Sequence, residues 1–136
     1  MNLEVYNPGT DHYRDVSTQY PLPASPPPRA ASTGDVHAPT ANTAAVVSYA
    51  AAGAGVSHAI SGIAWSYSAD PSAGNLKVED GAGNVVFSVD VTQAGPGFTP
   101  FHPPKRGSAN TALTVTLAAG GAGVTGKLSV LAHWTE

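Results

Sequence analysis

Histidines at positions 12, 37, 58, 102 and 133 are the side chains best suited to metal or acid–base chemistry in this 136-residue chain. None stands in HxH or HExxH spacing, and there is no cysteine to complete a ligand set. His58 and His133 both fall in strand-like runs and could meet across neighbouring strands. Two imidazoles without a third ligand make a poor metal site, so the histidines read as solvent-facing or hydrogen-bonded structural residues. Serine is abundant, yet none sits in a GxSxG elbow, and no GxxxxGK[ST] or GxGxxG cradle opens a helix. Asp90 alternates with the valines of VVFSVDV and is expected to face solvent, while Glu79 and Asp80 flank a turn. No carboxylate pair suggests a hydrolytic cleft. The expectation is a protein with no enzymatic activity, no metal and no cofactor.

The elements around these residues are strands. Period-two runs occur at NTAAVVSYA (42–50), VSHAISGIAWSYS (56–68), NLKVED (75–80), VVFSVDV (85–91), TALTVTL (111–117) and KLSVLAHW (127–134). Val56, His58 and Ile60 share one phase and Ile63, Trp65 and Tyr67 the other, so a bulge or corner is expected near Gly62. FTPF (98–101) contains Pro100, which confines it to a sheet edge. GAG triplets at 53–55, 81–83 and 121–123 punctuate the runs, and DGAGN (80–84) reads as a hairpin loop. GAGVSHAISGIAW (53–65) also echoes GAGVTGKLSVLAHW (121–134), as two long strands entered through one kind of loop would. No segment keeps helical periodicity. About seven short strands predict an all-β antiparallel sandwich, jelly-roll-like. Its expected core is Val56, Ile60, Ile63, Trp65, Leu76, Val78, Phe87, Val89, Leu113, Val115, Leu117, Leu128, Val130 and Trp134.

Composition narrows the function classes. Six Lys/Arg against nine Asp/Glu give a net charge of −3, which argues against nucleic acid as a partner. The start of the chain lacks the basic and apolar regions of a signal peptide, and no run approaches the ~20 apolar residues of a membrane span. No membrane partner is expected, and synthesis is expected in the cytoplasm. Only 11% of residues are charged, against ~25% in ordinary domains, which suggests a surface covered by partners.

Residues 1–41 differ from residues 42–136. They hold seven of the twelve prolines, including Pro26, Pro27 and Pro28, which enforce polyproline-II geometry. A disordered tail is one reading. The other is an extended arm ordered by docking, with Tyr6, Tyr13 and Tyr20 as separate anchors and the LEVY run able to add to a sheet edge. Docking is the reading adopted. Phe98, Phe101 and Arg106, in an expected irregular loop through HPPKR, form a second candidate contact.

The body, in GIAWSYSADPSAGNLKVEDGAGNVVFSVDV and GSANTALTVTLAAGGAGVTGKLSVLAHW, resembles small structural proteins of tailed bacteriophages. Among these it is most similar to jelly-roll capsid decoration (cement) proteins, over residues 42–136. The resemblance implies a protein of the outer virion surface, made in the host cytoplasm, that binds major capsid protein and bridges its subunits. It also implies a homo-oligomer, with a dimer favoured and a trimer possible. The alternative is a receptor- or carbohydrate-binding sandwich of a tail fibre or baseplate, with Trp65, Tyr67, Phe98, Phe101 and Trp134 as candidate sugar-stacking residues.

Overall fold

The computed structural model describes residues 34–135 and, as backbone only, residues 4–7, 12–15 and 33. Tyr20, Pro26, Pro27 and Pro28 lie outside the described residues. In the leading segment, β1 (Glu4–Asn7) pairs antiparallel with β2 (His12–Asp15), with Tyr6 directly opposite Tyr13 in register. Glu4–Tyr6 of the LEVY run is thus paired with Tyr13–Asp15, which sets two of the three tyrosines at one cross-strand position.

Eight further strands follow: β3 (Thr33–His37), β4 (Ala45–Tyr49), β5 (Ser57–Tyr67), β6 (Gly74–Asp80), β7 (Val85–Val91), β8 (Gly95–Arg106), β9 (Leu113–Leu117) and β10 (Gly126–Thr135). They form two four-stranded antiparallel sheets, ordered β3-β10-β5-β8 and β4-β9-β6-β7. Every connection but the β6–β7 hairpin crosses from one sheet to the other. That winding is an eight-stranded jelly roll. The expected all-β sandwich is the observed architecture.

Its first strand departs from the expected boundary at residue 42. Thr33–His37 pairs along β10 and belongs to the sandwich, inside the segment that composition assigns to the arm. TGDVH carries a single apolar residue, Val36, so it lacks the alternation that marks the other strands. The backbone ladder on β10 holds it, not a buried face.

Alternation places the core where the sheets meet. Ile60, Ile63, Leu76, Val78, Leu113, Val115, Leu117, Leu128 and Val130 are fully buried, joined by Ala45, Val47, Tyr67, Phe101 and Ala132. At roughly 1.5–3 kcal/mol per large aliphatic side chain, this layer is the main favourable contribution to the fold. The phase slip falls as expected: against β10, Ser61 is one extra residue between Ile60 and Gly62, and against β8 the register jumps there from Lys105 to Pro100, leaving Phe101–Pro104 out of the ladder. The two GAGV segments fold alike. The Val56 amide donates to the Gly53 carbonyl at 3.2 Å and the Val124 amide to Gly121 at 3.1 Å, with all four loop glycines at positive φ. The strands they lead into, β5 and β10, lie side by side at the centre of one sheet.

Two expected core residues are exposed. Trp134 is 62% accessible because β10, at ten residues, outruns the five-residue strands β4 and β9 that would cover it. Val89 is 39% accessible because β7 is the last strand of its sheet.

Candidate interaction surfaces

β8 extends over twelve residues, with a cis His102–Pro103 peptide; the short strand expected at FTPF continues to Arg106, and the irregularity expected through HPPKR is a break in its pairing with β5 at Phe101–Pro104. It does lie at a sheet edge, as its prolines require. Its alternation separates the two phenylalanines. Phe101 points inward, is buried and meets Phe87 edge-to-face at a centroid distance of 5.1 Å. It is a core residue and not an exposed contact. Phe98 points outward and is 58% accessible. Arg106 is exposed at the end of the same strand.

Phe98 belongs to a larger surface on the outside of the β3-β10-β5-β8 sheet. The ladder sets Gly34, Leu131, Gly62 and Pro100 in one row across it, and Val36, Ser129, Ala64 and Phe98 in the next. Val36 is 70% and Leu131 41% accessible. A Cβ on Gly62 would stand 3.0 Å from the Phe98 ring, so the ring rests over bare backbone. These eight residues carry no charge. Among the described residues, the charges beyond them on this face are Lys127, one row past Ser129, and Arg106, paired with Ala59 at the other end. The result is a flat, uncharged apolar strip with a cation at each end.

The outer face of the β4-β9-β6-β7 sheet is built differently. Ser48, Thr114, Glu79 and Val85 share one row, and Val46, Thr116, Lys77 and Ser88 another, so polar residues fill the middle of the face and exposed valines stand at its edges. Their polar groups satisfy one another. The Ser48 and Thr114 hydroxyls are 2.7 Å apart, and Lys77 Nζ lies 3.2 Å from Glu79 Oε2. The Asn75 amide donates to Ser88 Oγ at 3.0 Å and to Asp90 Oδ1 at 3.0 Å. Asp90 faces solvent, as its phase requires.

The chemistry-bearing residues serve structure. Buried His58 donates its Nε2 proton to the Ala50 carbonyl at 2.6 Å and stacks obliquely on Tyr49, centroids 5.5 Å apart. His133 sits opposite Ala59, the neighbour of His58 in sequence, so the two imidazoles project to opposite faces of the sheet. His37 Nδ1 accepts the Val46 amide proton at 2.8 Å, joining β3 to β4. Among the described residues no three histidine or acidic side chains gather as a metal site. Asp80 is buried and accepts from the Ser108 amide at 2.9 Å and the Ser108 hydroxyl at 2.6 Å, pinning the loop between β8 and β9. Tyr67 donates to the Ala118 carbonyl at 2.5 Å, and burial raises its phenol above the ordinary range. Burial pushes the Tyr49 phenol up still further, and the Asp35 carboxylate beside it adds to the shift without reaching hydrogen-bonding geometry.

The candidate sugar-stacking aromatics do not converge. Tyr67 and Phe101 are buried, and the Trp65 indole is turned inward over Gly97. The exposed pair, Phe98 and Trp134, lie at strand positions five residues apart, about 17 Å by the strand rise.

No protein-family model matches this chain. No curated protein matches it either. Among solved structures, it is similar to a chain in the cryo-EM structure of the giant freshwater prawn Macrobrachium rosenbergii extra small virus (XSV) VLP. The identity is 13% and the TM-score 0.34, over 88% of this chain and 93% of that one.

Proposed function

We propose that this chain is a virion structural protein that attaches to the outside of an assembled capsid and bridges major capsid protein subunits. The observation that carries this reading is the uncharged apolar strip on the outer β3-β10-β5-β8 face. A fold of this kind serves shells, lectins and enzymes alike, so the surface and not the topology bears the argument. Solvent-facing strands normally carry polar side chains, and the opposite face of this sandwich does so at its centre, with valines only on its edge strands. Val36, Leu131 and Phe98 gain by burial against a partner, and each can contribute on the order of 1 kcal/mol or more. The cations at the two ends, Lys127 and Arg106, favour a partner surface with acidic margins. One such contact is weak. Repetition over the symmetry-related sites of a shell makes it strong.

The leading segment supplies the bridge in this proposal. Five of the eight residues from 21 to 28 are proline, a composition that favours an extended linker. Tyr6, Tyr13 and Tyr20 anchor it on the neighbouring subunit. The role is mechanical and needs no catalytic group.

Co-sedimentation with intact shells tests the proposal. Binding of the full chain should be lost in the Phe98→Asp/Leu131→Asp double variant. It should be weakened in a truncation that removes residues 1–32 and leaves β3 whole. Unchanged binding of the double variant would overturn the assignment of this face. A glycan-array signal that depends on Phe98 or Trp134, with no shell binding, would replace it with the carbohydrate-binding reading.

A further inference from the structure

A four-by-four sandwich has four edge strands, and here they are protected very unequally. β8 carries Pro96, Pro100, Pro103 and Pro104, which strip amide donors from that edge. On β4, the Val46 amide is already taken by His37. β3 is five residues long and interrupted by Gly34. β7 has no such proline, glycine or side-chain cap, and its one irregularity, at Val86, leaves Phe87–Val91 regular. It is seven residues, VVFSVDV, without proline, glycine or lysine, and no residue in it is fully buried. A long apolar edge with unpaired backbone groups is a template for another strand.

The sequence of β7 indicates which strand. Its ladder with β6 is regular from Phe87 to Val91 and irregular before that, where Val86 is the extra residue. The regular stretch, FSVDV, is self-complementary when laid antiparallel against itself about Val89. Phe87 then faces the second copy's Val91, and Val89 faces Val89, so the inward side of the joint is wholly apolar. On the outward side Ser88 faces the second copy's Asp90, which keeps the two Asp90 carboxylates from standing opposite each other. The Ser88 oxygen already accepts from Asn75. Its own proton is therefore free to be donated across the joint to that carboxylate, a charge-assisted bond. We infer that β7 is a homodimer interface, in which two copies pair β7 to β7 about a two-fold axis at Val89 and merge their β4-β9-β6-β7 sheets into one of eight strands. This explains why a valine of the inward phase is left 39% accessible in the single chain. The inference goes beyond the capsid reading and does not depend on it.

The test uses the free, full-length protein without shells, so its outcome is independent of capsid binding. The chain has no cysteine, which makes engineered disulfides unambiguous. Directly opposed residues in an antiparallel ladder have Cα atoms about 4.5–5.5 Å apart, within disulfide range. Val89→Cys should cross-link most of the protein as a dimer under mild oxidation, while Val36→Cys on the β3 edge and Val46→Cys on β4 should not. In sedimentation velocity the unmodified chain should be dimeric at micromolar concentration, and Val89→Lys should weaken the dimer at least tenfold. If the lysine variant fails to fold by circular dichroism, the cysteine variants decide. A monomer at 100 µM, a dimer indifferent to Val89→Lys, or cross-linking at position 36 or 46 as efficient as at 89 would each overturn the inference.

Discussion

Lys77 and Lys127 occupy outward positions on the two sheets of one sandwich, and their surroundings are opposite. Lys77 pairs with Glu79 on a face where hydroxyls, an amide and carboxylates bond to one another. Lys127 has no acidic partner among the described residues and stands at the end of a strip made of Val36, Leu131, Gly62, Ala64, Pro100 and Phe98. The shared interior rules out core packing as the cause of this difference. A polar, self-satisfied exterior suits water on that side. The bare exterior suits another surface, and glycine and proline in its rows keep it flat enough to be laid against.

Substitutions that act on one face and spare the other sharpen the contrast most. Phe98→Asp with Leu131→Asp should reduce shell binding by a hundredfold or more while shifting the melting temperature only a little, since both residues are solvent-facing. Thr116→Asp with Ser48→Asp, on the opposite face, should leave binding within a factor of two. Equal losses from the two pairs would erase the distinction.

Next in size is Asp80→Ala, which strands the Ser108 amide and hydroxyl beneath the loop between β8 and β9. It should cost about 2–4 kcal/mol in chemical denaturation. Because Asp80 serves the fold and neither face, shell affinity of the folded fraction should not change. Asn75→Ala removes the donor that ties Ser88 and Asp90 together on the polar face, and should cost about 1 kcal/mol. A cost near zero would mean that the polar network is only a solvated surface.

The smallest effect at neutral pH is expected from Tyr49→Phe, since the buried hydroxyl lacks a hydrogen-bond partner. Its signature lies at alkaline pH. The folded-state pKa is raised above the unfolded value near 10, so the unfolded chain releases this proton first as pH rises. The associated stability is complete below pH 10 and declines above it. Thermal melts between pH 9 and pH 11 should fall less steeply in Tyr49→Phe than in the unmodified chain, with Tyr67 accounting for part of the decline that remains.

Much of this architecture was readable from residue order, for physical reasons that also mark where reading stops. Alternation is set by burial of one strand face, so VVFSVDV and LTVTL appear at their observed positions, and the break at Gly62 appears as a change of phase. Thr33–His37 escaped because its stability resides in backbone pairing with β10. Trp134 and Val89 were placed inside because phase says which way a side chain points, but not whether anything covers it. Phe101 was taken for a contact because the prolines after it suggested an irregular loop; pairing with β5 does lapse from Phe101 to Pro104, yet the ring still turns into the core. The apolar strip is the least legible feature. Gly34, Leu131, Gly62 and Pro100 become neighbours only through the order β3-β10-β5-β8, which brings together segments from four separate parts of the chain.

Hydroxyl-radical footprinting of the protein free and bound to intact shells tests the central claim most directly. The account predicts that labelling of Phe98, Leu131 and Val36 falls severalfold on binding, while labelling of Val46, on the polar face, is unchanged. Protection of Val46 with Phe98 and Leu131 still fully labelled would contradict it.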